Sequence, residues 1–149
     1  RRGFPPPTRA GASSAPEAAA GADFIFKCWE ITPMRILVVE DEMTVAMLIE
    51  DMVNELSFEV AGVVPRLEEA MGLADSDSFD AAMLDVHLNG KTVFPFARAL
   101  EKRNVPFLFA TAYGRRGIPA EFRDHIVLEK PFGPVELSHA LLALTGRAF

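Results

Sequence analysis

The chain has 149 residues, 24% charged and 50% hydrophobic, which suits a single folded domain with a proper core. Its net charge of -6 is unevenly spread: residues 1–33 hold four Arg/Lys and three Asp/Glu, and the rest carries eleven basic against eighteen acidic residues, so direct nucleic-acid binding is not expected without a Lys/Arg stripe to contact phosphate. The single Cys28 excludes an internal disulfide, no run approaches the roughly 18 apolar residues of a membrane span, and the opening lacks the basic-then-apolar layout of a signal peptide, so a reducing cytoplasm is the expected location.

Residues 1–33 are rich in Pro, Ala, Gly and Ser (Phe4-Pro5-Pro6-Pro7, then Gly11-Ala12-Ser13-Ser14-Ala15-Pro16) and too poor in apolar periodicity to offset the entropy of ordering. They read as a disordered segment, or as one preceding the true start at Met34, with Phe24-Ile25-Phe26 and Trp29 able to dock locally. From Met34 to Phe149 the chain reads as one domain in which short apolar runs alternate with helix-period stretches, the pattern of repeated β-α units.

The first run is Ile36-Leu37-Val38-Val39, ending in Glu40-Asp41-Glu42. Val45, Leu48, Ile49, Met52, Val53 and Leu56 then recur at the spacing of a helix that buries one face. A second strand is expected over about Glu59–Val64, and a shorter helix places Leu67, Ala70, Met71 and Ala74 on one side. The third strand is the run from Asp80 to Asp85, which delivers a carboxylate and breaks into a loop at Asn89-Gly90. Uninterrupted apolar runs bounded by turn residues are typical of parallel strands covered on both faces, and ligands collect at the carboxyl ends of such strands. A helix from about Val93 to Arg103 follows, with Val93, Phe96, Ala97 and Leu100 inward and Pro95 in its first turn. Phe107-Leu108-Phe109-Ala110 and Ile126-Val127-Leu128 are the fourth and fifth strands, and Gly133-Pro134 opens a last helix carrying Leu137, Leu141 and Leu144. Between Thr111 and His125 at most a turn or two of helix fits. The expected fold is an α/β, flavodoxin-like, doubly wound five-stranded parallel sheet in the order 2-1-3-4-5, since right-handed crossovers leave few other choices.

In such a sheet Glu40, Asp41, Asp85, Thr111 and Lys130 all emerge at one edge. Three gathered carboxylates raise one another's pKa values unless a cation sits among them, and a hard divalent ion with oxygen ligands, most plausibly Mg²⁺, resolves the conflict. Lys130 adds positive charge, Thr111 a hydroxyl and Asp85 a possible nucleophile, a set suited to phosphoryl transfer onto a carboxylate. Each residue also has a plainer explanation. Asp85 can cap a turn, Thr111 can be a strand-end hydroxyl, and Lys130 a solvated charge. The His87 and Tyr113 side chains can be exposed loop residues, and Glu68-Glu69 and Glu101-Lys102-Arg103 solvated helix faces.

Glu40-Asp41, Asp85, Thr111 and Lys130-Pro131-Phe132, at these spacings, resemble the receiver domain of bacterial two-component response regulators, over Met34 to about Leu144. The resemblance implies that Asp85 is the phosphoacceptor, that Asp41 binds Mg²⁺ directly with Glu40 acting largely through water, and that the His87 backbone carbonyl is a further metal ligand. It also implies that Thr111 and Lys130 contact the phosphoryl group and that Lys130-Pro131 is a cis peptide. Two features depart from the commoner pattern. Val127 stands where many receivers carry Tyr or Phe, and Phe109-Ala110-Thr111 with a short path to Lys130 looks like a subclass with a reduced fourth helix.

The implied function is a stand-alone regulator that takes phosphate from a sensor histidine kinase or histidine phosphotransfer protein and signals to a downstream protein by contact. It would act as a signalling domain, not an enzyme. The alternatives are a degenerate interaction module that works without phosphorylation, which the full set of pocket residues argues against, and a phosphatase of the haloacid dehalogenase type, which needs a second Asp where His87 stands. No phosphate-binding glycine loop follows the first strand, where Glu40-Asp41-Glu42 would repel a nucleotide. The loop from Ala112 to Phe122, with Gly114 and Gly117 as hinges, is the expected switch, with Tyr113 replacing the missing aromatic.

Overall fold

The structure, a computed structural model, describes residues 33–146. The expectation for residues 1–33 therefore lies outside the described residues except at Pro33.

Five strands form one parallel sheet: β1 (Arg35–Val39), β2 (Glu59–Val64), β3 (Ala81–Asp85), β4 (Phe107–Thr111) and β5 (Val127–Glu129), in the order β2-β1-β3-β4-β5. This is the expected flavodoxin-like arrangement. The helices are α1 (Met43–Glu55), α2 (Leu67–Gly72), α3 (Phe94–Lys102) and α4 (Pro134–Thr145). Successive strand side chains point to opposite faces, so each apolar run supplies two cores. Leu37, Val39, Leu84, Phe107 and Phe109 pack with Ala70, Phe96, Ala97 and Leu100 of α2 and α3. On the other face Ile36, Val38, Met83 and Leu108 pack with Ile49 and Val53 of α1 and Leu137 and Leu141 of α4.

At the amino edge of the sheet, Arg35 grips Asp80: its backbone N–H donates at 2.8 Å and its guanidinium at 3.2 and 3.1 Å. That clamp fixes β1 against β3 so that Val39 lies opposite Leu84. The next residues, Glu40 and Asp85, are thereby brought together at the far edge. In the same way Asp85 lies opposite Ala110 and Thr111 opposite Glu129, which sets Lys130 beside both.

Two helix assignments differ from expectation in their facing. Leu48 is 59% exposed, because the buried stripe of α1 is Ala46, Ile49 and Val53, and Leu48 lies about 100° around the helix from Ile49. Met71 is 40% exposed, because α2 has only six residues and Ala70 alone is fully covered. Arg103 is more than a solvated charge: its guanidinium donates to the Ala74 and Ser76 carbonyls at 2.6 and 3.1 Å and to Asp77 at 3.0 Å, tying the end of α3 to the chain after α2. α4 opens at Gly133, whose N–H donates to the Glu136 carboxylate at 3.0 Å, and closes on Gly146 in the left-handed conformation (φ 73°).

Between β4 and β5 there is no α-helix, only two 3-10 turns, Gly114–Gly117 and Ala120–Phe122. Phe122, fully buried, takes over the packing that a longer helix would supply. Its ring stands 5.4 Å from Phe109 and 5.6 Å from Phe94, and Arg98 of α3 both pairs with Glu121 at 2.9 Å and lies over the Phe122 ring. The carboxyl end of the segment expected to act as the switch, Ala112–Phe122, is thus packed into the core at Phe122.

Candidate functional site

The site forms where the strands end. Glu40 follows β1, Asp85 closes β3, Thr111 closes β4 and Lys130 follows β5. Glu40, Asp85 and Thr111 are buried polar residues at the rim of an apolar core, which demands partners for each of them. The Lys130 ammonium supplies two: it donates to Glu40 Oε1 at 2.8 Å and to Asp85 Oδ1 at 3.3 Å. The second Glu40 oxygen accepts the Glu42 N–H at 3.2 Å. Thr111 Oγ1 accepts the Tyr113 N–H at 3.1 Å. The Lys130-Pro131 bond is cis, as the resemblance implied.

Asp41 completes the group. Its Oδ2 accepts the Asn89 N–H at 3.0 Å, and one oxygen each from Glu40, Asp41 and Asp85 lies within 4.8 Å of the others. The Asn89 amide reaches Asp41 because Asn89 and Gly90 both take the left-handed conformation (φ 51° and 83°), turning a two-residue ribbon in which His87–Leu88 pairs antiparallel with Lys91–Thr92. The His87 side chain is exposed, and its ring meets Tyr113 edge-on at 5.6 Å. Tyr113 is 57% exposed, and its ring contact is with His87.

These charges are not balanced. Burial and then the neighbouring Glu40 charge push the Asp85 carboxyl up to about 7, against 3.8 for a free carboxyl, although Lys130 draws it down. Burial lowers the Lys130 ammonium, but the hydrogen bond to Glu40 and the charges of Asp85 and Glu40 outweigh it and leave its pKa raised. Three carboxylates against one ammonium in a half-buried cleft leave a net negative site made wholly of hard oxygen donors. Such a set fits a small divalent cation, which would restore Asp85 to its ionised form. Four of the interactions here lay beyond sequence reasoning: the amides of Asn89, Glu42 and Tyr113 and the His87–Tyr113 contact. Only Asn89-Gly90 left a signal, as a turn pair.

Residues 36–142 match the response regulator receiver domain family over most of the chain. The chain belongs to this family. Among solved structures this receiver domain is similar to SdrG from Sphingomonas melonis Fr1 (39% identity, TM-score 0.68, covering 75% of this chain and 96% of that one). It is also similar to the receiver domain of the sensor histidine kinase PA1611 from Pseudomonas aeruginosa PAO1 (25% identity, TM-score 0.64, 78% and 100% coverage), a structure "with magnesium ion coordinated in the active site cleft". The transcriptional regulatory protein PdtaR of Mycobacterium tuberculosis is 29% identical over 113 residues, which cover 73% of this chain and 55% of that protein. This receiver domain spans about half the length of the curated relatives it matches. Among the described residues no helix is long and apolar enough to cross a membrane.

Proposed function

We propose that this receiver accepts a phosphoryl group on Asp85 from a histidine kinase or histidine phosphotransfer protein and passes the signal on by protein contact. The observation that carries this reading is the Lys130 ammonium lodged between Glu40 and Asp85, with Asp41 alongside. A buried carboxylate, a positive charge and a cation-ready acid pair stand together at one strand end. Asp41 and Asp85, with the His87 carbonyl, would hold Mg²⁺ directly. Glu40, already engaged by Lys130, would act through water. Bound there, the cation would neutralise charge on the transferring oxygens.

The chemistry assigned to the chain's own residues is simple. An ionised Asp85 oxygen attacks phosphorus, the new O–P bond forms as the phosphorus–nitrogen bond of phosphohistidine breaks, and the imidazole leaves with the bond's electron pair. Lys130 holds one equatorial oxygen and the Thr111 hydroxyl donates to another. An apolar face flanks the cleft: Met43, Met47 and Leu48 of α1 are exposed, beside a groove lined by Val45, Met52, Pro131 and Phe132. A phosphodonor protein would seat there.

A stand-alone role draws support from SdrG, whose chain is matched over 96% of its length, and the mass of the native protein tests it. The phosphoacceptor role is tested by NMR titration with beryllofluoride and Mg²⁺. Amide shifts centred on Asp85, Thr111 and Lys130 are expected, and shifts that bypass these residues would refute it.

A further inference from the structure

The described residues carry ten basic and eighteen acidic side chains. Five of the basic ones have a carboxylate partner: Arg35, Lys91, Arg98, Arg103 and Lys130. Of the remainder, Arg66 and Lys102 stand apart, whereas Arg115, Arg116 and Arg123 fall together in the exposed segment that replaces the fourth helix. Arg115 donates to the Arg123 carbonyl at 2.9 Å and Arg123 to the Ala120 carbonyl at 3.3 Å. These two guanidiniums are therefore gathered by main-chain acceptors that leave their charge intact. Of the segment's two acids, Glu121 is already taken by Arg98, Asp124 makes no ion pair among the described residues, and the Glu129 carboxylate of β5 lies beside Gly114.

We propose that this arginine cluster is a docking surface for an acidic segment of a partner protein. Guanidinium forks match carboxylates in bidentate geometry, and their main-chain bonds hold Arg115 and Arg123 in place before the partner arrives. The acidic remainder of the domain selects the kind of partner. A nucleic acid carries charge at every step, so beyond the three arginines it meets carboxylates within a screening length of about 8 Å. A short run of Asp and Glu on a protein covers the cluster and stops. The surface also has a route to the site: Tyr113 binds Thr111 Oγ1 through its amide, and the left-handed Gly114 (φ 60°) joins Tyr113 to Arg115. A shift of the Thr111 hydroxyl toward a phosphoryl group therefore moves Arg115 and Arg116 relative to Arg123, which follows the anchored Phe122. That coupling rests on the phosphoacceptor reading; the charge of the cluster does not.

The test is titration of the full ¹⁵N-labelled chain with a short Asp/Glu peptide, and in parallel with a single-stranded oligonucleotide of equal charge. The peptide should shift amides from Tyr113 to Asp124 and bind the more tightly of the two. Three exposed ion pairs amount to about tenfold in affinity, so replacing all three arginines by Gln should weaken the peptide about tenfold. Arg116, which makes no hydrogen bond among the described residues, provides the variant that leaves the loop intact: Arg116→Glu should weaken binding and Arg116→Lys restore most of it. Peptide binding unaffected by Arg116→Glu and by the triple variant, or tighter binding of the oligonucleotide, overturns the proposal. Phosphorylation of Asp85, followed separately by intact mass, should be unchanged in every Arg variant, so a failure there points to the phosphoacceptor reading and not to this surface.

Discussion

Replacing Asp85 by Asn should stabilise the metal-free protein, and by an amount that depends on pH. The folded Asp85 titrates at about 7, against 3.8 for the free carboxyl. Between those values the folded state holds a proton that the unfolded state has released, so stability falls as pH rises through this window. Full ionisation of Asp85 in the fold costs about 4 kcal/mol at 1.36 kcal/mol per unit, an upper limit because solvent and counterions relax around a cleft. The substitution removes this cost but loses the charge-assisted contact with Lys130, so the expected net gain is about 2 kcal/mol above pH about 7 and near zero at about pH 4. For a domain of this size that is a rise in Tm of roughly 8 °C. Thermal and urea unfolding of both proteins in chelator, across this range, measures it, and added Mg²⁺ should close the gap by stabilising the wild type. A difference independent of pH, or an Asp85→Asn variant less stable than wild type at about pH 8, would refute the electrostatic account of the site.

Asp41→Ala should weaken Mg²⁺ binding at least tenfold by NMR titration, and wild-type affinity in that variant would mean the acid pair is not the site. Lys130→Ala leaves the buried Glu40 without its cation and should cost about 2–3 kcal/mol in urea unfolding without preventing folding. Phe122→Ala should cost about 3–4 kcal/mol and raise amide exchange across residues 114–122, since this ring anchors the segment; a loss below about 1 kcal/mol would contradict that. Gly114→Ala, forced into φ 60° beside the Glu129 carboxylate, should lose about 1 kcal/mol by the same assay and change the mobility of Tyr113.

The sheet was legible because its strands are buried on both faces. Ile36–Val39 and Ala82–Leu84 have no polar residue to interrupt them, and parallel pairing then forces Glu40, Asp85, Thr111 and Lys130 to one edge. What depends on rotation or on distant partners was not legible. Leu48 fits the helical period yet faces out, because a few tens of degrees of roll decide which of two adjacent apolar positions is covered. The 3-10 turns have no repeating pattern to detect, and the anchor at Phe122 exists only because Phe94, Phe107 and Phe109 converge on it. The Arg35–Asp80 clamp joins residues 45 apart, and nothing local in either marks the other.

The central claim is that Asp85 is the metal-dependent phosphoacceptor, and intact mass after incubation with acetyl phosphate tests it most directly. Wild type with Mg²⁺ should gain one phosphoryl group, mapped to Asp85 by peptide analysis after borohydride trapping. The same protein in chelator and the Asp85→Asn variant with Mg²⁺ should gain none. A phosphoryl group found on Asp85→Asn, or acquired by wild type equally well in chelator, would contradict the assignment.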